Sequence, residues 1–406
     1  MVNMGSTTDS IITVNSLPAI LIGGPPNAGK SVLTYNLTRE LRRCDIPHYV
    51  FRASADIEGD WFLKGNLETV DQIVGKVKAY RQWTDIFRAF VCRDLAHRHL
   101  PLIVDLGGLP KDADNCIFEV CTHSILLLKD EDEEATQTWR RFTTTNGLLP
   151  IAELRSQQEG DSILTAEEPV ITGTITGLKP KASIHDSVFN ALLKRVKQLF
   201  GSYSPAELEK FHLDTAPIEF VVHLPHQLKS LAPDTDEWTA DMLQPLLAAQ
   251  PAKTAMSIYG RAPNWVYGAL ALHAGKQPFH QFDARLGWVT SPALQASASR
   301  QLSQSLIYIK EENHNDSYVI LIHPIHNYLD YREADQLVFP EPPPNRGVIV
   351  TGKLPLWLFT ALSRFYVQRD VPWIALNDAH DNRPVVIYSQ AVSHPIGKIL
   401  PELAEL

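Results

Sequence analysis

The chain has 406 residues, 44% of them hydrophobic and 20% charged, which is ordinary for a globular protein and enough for two or three domains. A formal net charge of −9 argues against a broad basic surface for long DNA or RNA, because that binding depends on neutralising phosphates. The apolar stretches are too short to span a bilayer and the N-terminus lacks a basic-then-apolar signal, so we expect a cytoplasmic protein without membrane contact.

A phosphate-binding loop is predicted near the N-terminus. After an N-terminal tail (1–17), Ala19 to Ile22 is typical of a short buried strand, and it runs into Gly-Pro-Pro-Asn-Ala-Gly-Lys-Ser, an intact GxxxxGK[ST] sequence. Leucines at helical spacing follow. Strand, glycine loop and helix are the context that a P-loop needs, so residues 18–200 are predicted to be a P-loop NTPase domain with a parallel sheet, resembling small kinases or simple ATPases. The predicted nucleotide-binding residues are Gly24, Asn27, Gly29, Lys30, Ser31 and Asp105.

Magnesium with ATP is the expected cofactor of this domain. Backbone N–H groups of the loop and Lys30 would contact the phosphates, and Ser31 would help to hold the metal. A second apolar run, Pro101 to Val104, leads into Asp105, which fits the carboxylate that contacts magnesium in P-loop proteins. The alternative for Asp105 is an ordinary turn residue.

Two further charged segments lie in this half. Arg52 to Trp61 follows a strand-like run and includes three acidic residues for a substrate or metal, although a solvated loop is the favoured interpretation: Asp56, Glu58 and Asp60. Arg140 and Arg141 would reach a triphosphate from a lid, but an exposed face of a charged helix is favoured. The four cysteines, in no CxxC pair, are predicted to be reduced thiols: Cys44, Cys92, Cys116 and Cys121.

A repeated phrase organises the second half. Gly260-Arg261-Ala-Pro-Asn-Trp265 recurs 92 residues later as Gly352-Lys353-Leu-Pro-Leu-Trp357. Each copy follows a β-like run, which predicts a strand, a tight glycine turn and a helix start with proline in the first turn. Pro278-Phe279 is matched with Pro372-Trp373. Two α/β repeats are therefore predicted, at 216–300 and 305–406, as a pseudo-dimer.

Each repeated turn is also a candidate anion site. Helix N-termini favour phosphates, so Gly260, Arg261, Gly352 and Lys353 are predicted to bind a nucleotide with internal symmetry. The alternative is that the phrase only shapes a turn and buries an indole. Four histidines at strand ends lie 100 residues apart in pairs, and ordinary hydrogen bonding is favoured over a metal or RNA contact: His223, His226, His323 and His326.

The repeated phrase, followed by a helix, Pro-aromatic and Asp283-Ala-Arg-Leu-Gly287, resembles the ring nucleases of type III CRISPR systems, which degrade cyclic oligoadenylate. The resemblance covers roughly residues 216 to 406. It implies that each repeat is a ferredoxin-like α/β unit and that two units assemble around the cyclic nucleotide. A fusion to an N-terminal P-loop domain is also familiar in that family.

The resemblance carries over the catalytic residues only in part. The family's catalytic Asp falls on Asp283 and Asp378, and its Arg two positions later is Arg285 in one copy and His380 in the other. Its His before the proline is Lys276 or Asp370, and a later family His lands near Ser389. Lys276 with Arg285 would act electrostatically, and Asp378 with His380 would hold a metal or shuttle protons. The alternative for both aspartates is a turn residue.

Three functions follow from these expectations. The first is a type III CRISPR accessory protein that binds and cleaves cyclic oligoadenylate, with cyclic tetra-adenylate as the first candidate ligand. Manganese would be an alternative metal for this cleavage, and ATP would bind at the P-loop. The second is a non-cleaving receptor that regulates the P-loop ATPase. The third is a nucleotide or small-molecule kinase with a structural C-terminal module. A homo-oligomer formed through the repeats is expected in the first case.

Overall fold

The computed structural model describes residues 17–53, 85–129, 132–179, 182–297, 306–325, 329–378 and 382–403. The chain divides into two compact units: residues 1–212 with 284–287, and residues 213–283 with 288–406. Both predicted repeats lie in the second unit, apart from residues 284–287 of the first repeat. None of the described helices is long and apolar enough to cross a membrane.

The first unit is an α/β structure. Its strands are β1 (Ala19–Gly23), β2 (Tyr49–Ala53), β3 (Leu102–Leu106), β4 (His123–Leu128), β5 (Leu149–Gln157), β6 (Ile163–Ala166) and β7 (Ile171–Thr176). Its helices are α1 (Lys30–Arg43), α2 (Asp85–Ala96), α3 (Asn115–Val120), α4 (Glu133–Thr145), α5 (Ser187–Phe200) and α6 (Pro205–Leu213).

These strands form one sheet in the order β2-β3-β1-β4-β5-β7-β6. The pairs from β2 to β7 are parallel, and only the described β6–β7 hairpin is antiparallel. Both β1 and β3 are wholly buried, as expected of parallel strands that are covered on both faces. The sequence predicted β1 and β3 within one or two residues at each end, and it missed the β6–β7 hairpin.

The core of this unit lies between the sheet and two helices. Leu33, Leu37 and Leu41 of α1 stand at helical spacing, and all three are buried against Ile20 and Ile103. The apolar face of α5 joins the same cluster. Burial of each such side chain contributes about 2 kcal/mol, which fixes α1 against the strand that precedes it.

One cysteine expectation is wrong. Cys92 of α2 and Cys116 of α3 form a disulfide, although the sequence predicted reduced thiols throughout. The two residues are 24 positions apart and lack the CxxC spacing, so only the packing of α2 on α3 brings them together. Cys44 and Cys121 are free, and burial raises the pKa of Cys121 to about 12, which makes it an inert thiol.

The second unit contains both repeats. The first repeat has β8 (Val221–His223), α7 (Leu224–Leu231), α8 (Leu243–Ala248), β9 (Met256–Tyr259), α9 (Asn264–His273), β10 (Phe279–Asp283), β11 (Gly287–Thr290) and β12 (Gln295–Ser297). The second has β13 (Ile307–Asn313), β14 (Ser317–Pro324), β15 (Val338–Pro340), β16 (Gly347–Thr351), α10 (Leu356–Val367), β17 (Trp373–Asp378) and β18 (Arg383–Ser389).

The repeats are not ferredoxin-like, which corrects that part of the predicted fold class. Their sheets run β11-β10-β9-β8 and β13-β14-β16-β17-β18. In each repeat the strand before the repeated phrase pairs directly and in parallel with the strand after the helix, β9 with β10 and β16 with β17. A ferredoxin-like unit is a split βαβ motif, in which another strand separates that pair. The observed unit is an unsplit βαβ motif.

The repeated phrase forms the predicted turn in both copies. Gly260 and Gly352 have φ of 109° and 131°, a backbone region that side-chain-bearing residues rarely enter. A Cβ on Gly352 would lie 1.9 Å from the backbone oxygen of Ile322, and one on Gly260 would lie 2.3 Å from Pro225 Cδ. The prolines cap the helices rather than entering them, since α9 and α10 begin one residue after Pro263 and Pro355.

The two repeats pack through α9 and α10. A Cβ added to Gly268 of α9 would lie 2.6 Å from Leu376 Cδ1 of the second sheet. At the corresponding position of α10, Thr360 Oγ1 donates to Gln281 Oε1 of the first sheet at 2.9 Å. The same pairs of positions therefore meet in both directions, as in a dimer with two-fold symmetry.

A one-way contact also joins the two helices. Arg364 of α10 donates to three carbonyl oxygens at the end of α9, those of Ala271, Gly275 and Gln277, at 3.3, 2.9 and 2.6 Å. The last carbonyls of a helix lack intrahelical partners, so the guanidinium satisfies them.

Candidate functional site

The glycine loop of the first unit is closed around a lysine. Lys30 Nζ donates to the carbonyl oxygens of Gly24 and Pro25 at 2.8 and 2.9 Å, and the side chain is only 8% exposed. Gly29, in the left-handed region at φ 84°, precedes α1, so the first N–H groups of that helix point into the loop. The loop thus presents a buried cation and unsatisfied donors, which is the chemistry that an anion requires.

Ser31 and Asp105 meet beside this loop. Ser31 Oγ donates to Asp105 Oδ2 at 3.1 Å, across the 74 residues that separate them in sequence. The parallel pairing of β1 with β3 brings them together, because Ile22 and Asp105 are register partners. A hydroxyl and a carboxylate are hard oxygen ligands, so this pair fits magnesium held with a nucleotide.

Close packing explains the other loop glycines. A Cβ on Gly24 would lie 2.1 Å from the backbone oxygen of Leu127, and one on Gly29 would lie 2.5 Å from Leu178 Cβ. Leu178 follows β7, and the sequence did not single it out. Asn36 of α1 holds the same stretch of chain through bonds to Ala182 and Ile184. The only sequence signal for this contact is the glycine at position 29.

The other charged segments of the first half divide into two groups. Arg140 pairs with Glu153 on β5 at 2.9 Å, and Trp139 beside it is wholly buried. Helix α4 is thus packed on the sheet, with its arginines on the outer face, as the favoured interpretation had it. Asp56, Glu58 and Asp60 lie outside the described residues, as do His326 and the candidate catalytic residue His380.

Asp283 and Asp378 occupy equivalent positions in the two repeats. Phe279 is the register partner of Met256 in the first repeat, and Ile374 is that of Val348 in the second. Each aspartate lies four residues beyond, at the carboxyl end of its strand. The matched Pro-aromatic pairs are shifted by one residue, since β17 holds one more residue before its aspartate than β10 does.

Asp378 is held by the other repeat. Trp265 Nε1, from the first turn of α9, donates to Asp378 Oδ2 at 2.9 Å. Asn264 Nδ2 donates to the backbone oxygen of Asn377 at 2.9 Å. The side chain of Asn377 is 7% exposed and donates to Thr351 Oγ1 and Asn382 Oδ1, both at 3.0 Å. Asn377, the residue before Asp378, therefore belongs to a hydrogen-bonded polar network.

The residue before Asp283 is aromatic instead of polar. Phe282 stands where the second repeat has Asn377, and it packs with Tyr259 and Trp288 at ring-centroid distances of 5.2 and 5.4 Å. Buried Tyr267 donates to the backbone oxygen of Gly260. Burial and the charge of Asp283 raise the pKa of Tyr267, so it stays a neutral donor. The end of the first sheet is thus an aromatic cluster.

The structure does not bring Lys276 to Asp283. Lys276 is exposed before β10, whereas Asp283 ends that strand, so the strand alone separates them by more than about 10 Å. Arg285 belongs to the segment 284–287 of the first unit, where its Nε lies 3.4 Å from Asp94 Oδ2. Arg261 and Lys353 follow their glycine turns and are exposed, as an anion site requires.

The sequence missed three residues of this region. Trp265 and Asn264 stood in the repeated phrase, but only as structural parts of it. Arg383 starts β18 as the register partner of Asp378, so its Cβ lies about 5 Å from that of the aspartate. Its signal was a basic residue five positions after a candidate catalytic Asp. The pairing of β17 with β18 thus places a basic residue opposite Asp378.

The histidine pairs are not equivalent. His223 is the register partner of Tyr259, and the corresponding partner of Thr351 is Leu321, so His323 is displaced by two positions. His223 Nδ1 accepts from the backbone N–H of His226 at 3.3 Å and caps α7, and the two rings stack at 3.8 Å. Burial and the charge of Lys353 lower the pKa of His323, which keeps that ring neutral at pH 7.

A family comparison reaches the second repeat. Residues 322–401 match the family described as CRISPR-associated protein (Cas_csx3). The match includes Gly352, Lys353, Asp378 and Arg383, and it covers about a fifth of the chain. Among curated proteins, none matches the chain. The second repeat of this chain is therefore similar to CRISPR-associated proteins.

Proposed function

We propose that this chain is an accessory protein of type III CRISPR defence whose tandem unit binds and cleaves cyclic oligoadenylate, with cyclic tetra-adenylate as the first candidate. One observation carries the proposal. The carboxylate of Asp378, within the matched family region, is held by a residue of the other repeat. A site built from both repeats of a pseudo-dimer suits a ligand with internal symmetry.

The residues at this end of the second sheet provide groups for breaking a phosphodiester. The neighbouring 2′-oxygen would attack the phosphorus in line with the bond to the 5′-oxygen. That bond would break to leave a 2′,3′-cyclic phosphate and a 5′-hydroxyl, whose proton would come from water, while a cation stabilises the charge on the phosphoryl oxygens. Asp378 would accept the proton of the 2′-hydroxyl or hold a metal such as manganese, which would supply further charge stabilisation. Lys353 and Arg383 would contact the phosphate.

The first unit would bind ATP with magnesium. Lys30 would reach the terminal phosphates from its place inside the loop, and Ser31 with Asp105 would hold the metal. The phosphate cradle alone does not specify a phosphoryl acceptor, so nucleotide binding is the whole of this part of the proposal.

The test uses labelled cyclic tetra-adenylate, with and without manganese and ATP, followed by separation of linear products. We expect linear product from the full chain and at least a 100-fold slower rate from Asp378→Asn. Asp335→Asn, an exposed carboxylate of the same repeat, is the matched control and should cleave at the parent rate. Equal rates for the two variants would refute the assignment of Asp378.

A receptor without turnover is the second candidate, because Lys276 and Asp370 stand where the resemblance requires histidine. Tight binding of the cyclic ligand without linear product, together with ligand-dependent ATP hydrolysis, would favour it. Absence of both binding and cleavage would refute the two candidates together.

A further inference from the structure

We infer that Trp265 of the first repeat is a positioning residue for Asp378 of the second, and that Trp357 does not have this role for Asp283. This inference rests on the proposed function, since it concerns the residue that the cleavage would use. It adds an assignment that neither the motif nor the matched family region contains, because Trp265 lies outside residues 322–401.

Two consecutive residues of α9 hold two consecutive residues of β17. Asn264 fixes the backbone at Asn377, and Trp265 fixes the carboxylate of the next residue. The indole of Trp265 is 2% exposed, so its position is set by packing before any ligand arrives. A tryptophan has only two side-chain torsions, and its N–H is a donor without acceptor capacity. It therefore orients the carboxylate and cannot compete for its proton.

The indole contact restrains the carboxylate at one of its two oxygens. The indole N–H donates to Oδ2 and so limits the rotation of the carboxyl group. Groups that orient a reacting side chain in this way commonly change activity by 10- to 100-fold when removed.

The opposite contact is not made. Trp357 holds the same place in the second phrase, is 0% exposed, and packs edge-on against Tyr331 at 5.3 Å. Its Nε1 has no hydrogen-bond partner within the described parts of the chain. Leu356 stands in the second repeat where the first has Asn264, and a leucine side chain cannot donate a hydrogen bond to a backbone oxygen. Phe282 stands where the second repeat has Asn377. The hydrogen bond from Asn264 to the backbone of Asn377 therefore has no equivalent in the other direction. Only one direction of the pseudo-dimer thus holds its aspartate through an indole.

The two tryptophans make a matched experiment. Trp265→Phe and Trp357→Phe remove the same N–H from the same place in each repeat, and both keep an aromatic ring in a buried site. With cyclic tetra-adenylate and the full chain, we expect kcat to fall about 10- to 100-fold in Trp265→Phe with KM within about threefold. Trp357→Phe should change neither by more than about twofold. Equal kcat values for the two variants would overturn the inference.

A second readout is independent of turnover. In protein labelled with ¹⁵N at the indole nitrogen, Asp378→Ala should shift the Trp265 Nε1–H resonance and speed its hydrogen exchange, and leave the Trp357 resonance in place. If the Trp265 resonance does not respond, the contact does not exist in solution and the inference fails. Thermal melting of each variant identifies loss of folding, in which case the response of the Trp265 resonance to Asp378→Ala decides the inference.

A double-mutant cycle separates this inference from the proposed function. Trp265→Phe should have little effect in an Asp378→Asn background, because the group that it positions is already lost, whereas effects at Trp357 and Asp378 should multiply. If the parent chain neither binds nor cleaves the ligand, the proposed function fails while the indole resonances still test the contact. If the parent cleaves and the cycle shows no coupling, the inference alone fails.

Discussion

The two repeats share one backbone plan and differ where their sheets end. In both, a buried strand turns at a glycine into a helix, and an aspartate closes the next parallel strand. The residue before Asp378 is Asn377, whose side chain donates hydrogen bonds to Thr351 and Asn382. The residue before Asp283 is Phe282, which packs with Tyr259 and Trp288.

The difference shows what duplication inside one chain allows. In a symmetric dimer of identical subunits, each substitution appears on both sides of the interface. In the fused pair, Gly268 packs closely on Leu376, while Thr360 at the matching position hydrogen-bonds to Gln281. Each side of the interface has therefore taken its own packing solution, and the two aspartates have acquired different surroundings.

Substitution of the two aspartates tests the difference between the repeats most directly. We expect Asp378→Asn to slow cleavage of cyclic tetra-adenylate at least 100-fold, because the isosteric amide neither accepts a proton nor binds a metal as well. Asp283→Asn should slow it by less than about threefold. Single-turnover rates of product formation measure both. A larger loss in Asp283→Asn would mean that the aromatic end of the unit carries the chemistry.

The next largest expected effect tests whether cleavage by the repeats is independent of the glycine loop of the first unit. Lys30→Ala removes the buried cation of the loop and should weaken magnesium-ATP binding by about 100-fold or more in calorimetry. Lys129→Ala is the control, since this exposed lysine contacts the same loop through the carbonyl of Pro26. Cleavage measured without ATP should be the same in both variants. A rate that falls only in Lys30→Ala would show that the asymmetry of the repeats is not the whole mechanism.

The glycine turns sharpen the comparison through stability. Gly352→Ala should destabilise the fold by about 3 kcal/mol, because the strained backbone is joined by a clash with a fixed carbonyl oxygen. Gly260→Ala should cost about 2 kcal/mol, since its clash is with a proline ring that can shift. Urea unfolding followed at the second unit distinguishes the two. Equal losses would indicate that backbone strain alone decides the cost.

The smallest expected effect is a pH dependence of the stability of the first unit. Burial lowers the pKa of His212 to about 4, although its Nε2 donates to the backbone oxygen of His99. Below pH 6.5 the unfolded chain binds a proton that the folded chain does not. The free energy of unfolding therefore decreases as the pH is lowered from about 6.5 to 4. At pH 5 this histidine should lower the free energy of unfolding by about 2 kcal/mol relative to pH 7, and His212→Gln should remove that contribution. A His97→Gln control should keep the parent slope.

Local patterns predicted the parts of the fold that depend on local chemistry. Apolar runs before the two copies of the repeated phrase predicted strands β9 and β16. Apolar runs before Gly24 and Asp105 likewise predicted β1 and β3, whose pairing brings Ser31, beside Lys30, to Asp105. The pairing of strands escaped prediction, because the direction in which β10 returns beside β9 is set by packing of α9. The contact of Trp265 with Asp378 escaped for the same reason, since it joins residues 113 positions apart.

The contact made by the guanidinium of Arg364 exists in one direction only. It closes the end of α9 from α10, and the matching position in the first repeat is Leu272, so the contact has no return partner. Two copies of either half would lack part of this contact or duplicate it. Within one polypeptide the two repeats therefore behave as an obligate heterodimer of fixed stoichiometry, and neither repeat paired with itself would reproduce this single contact.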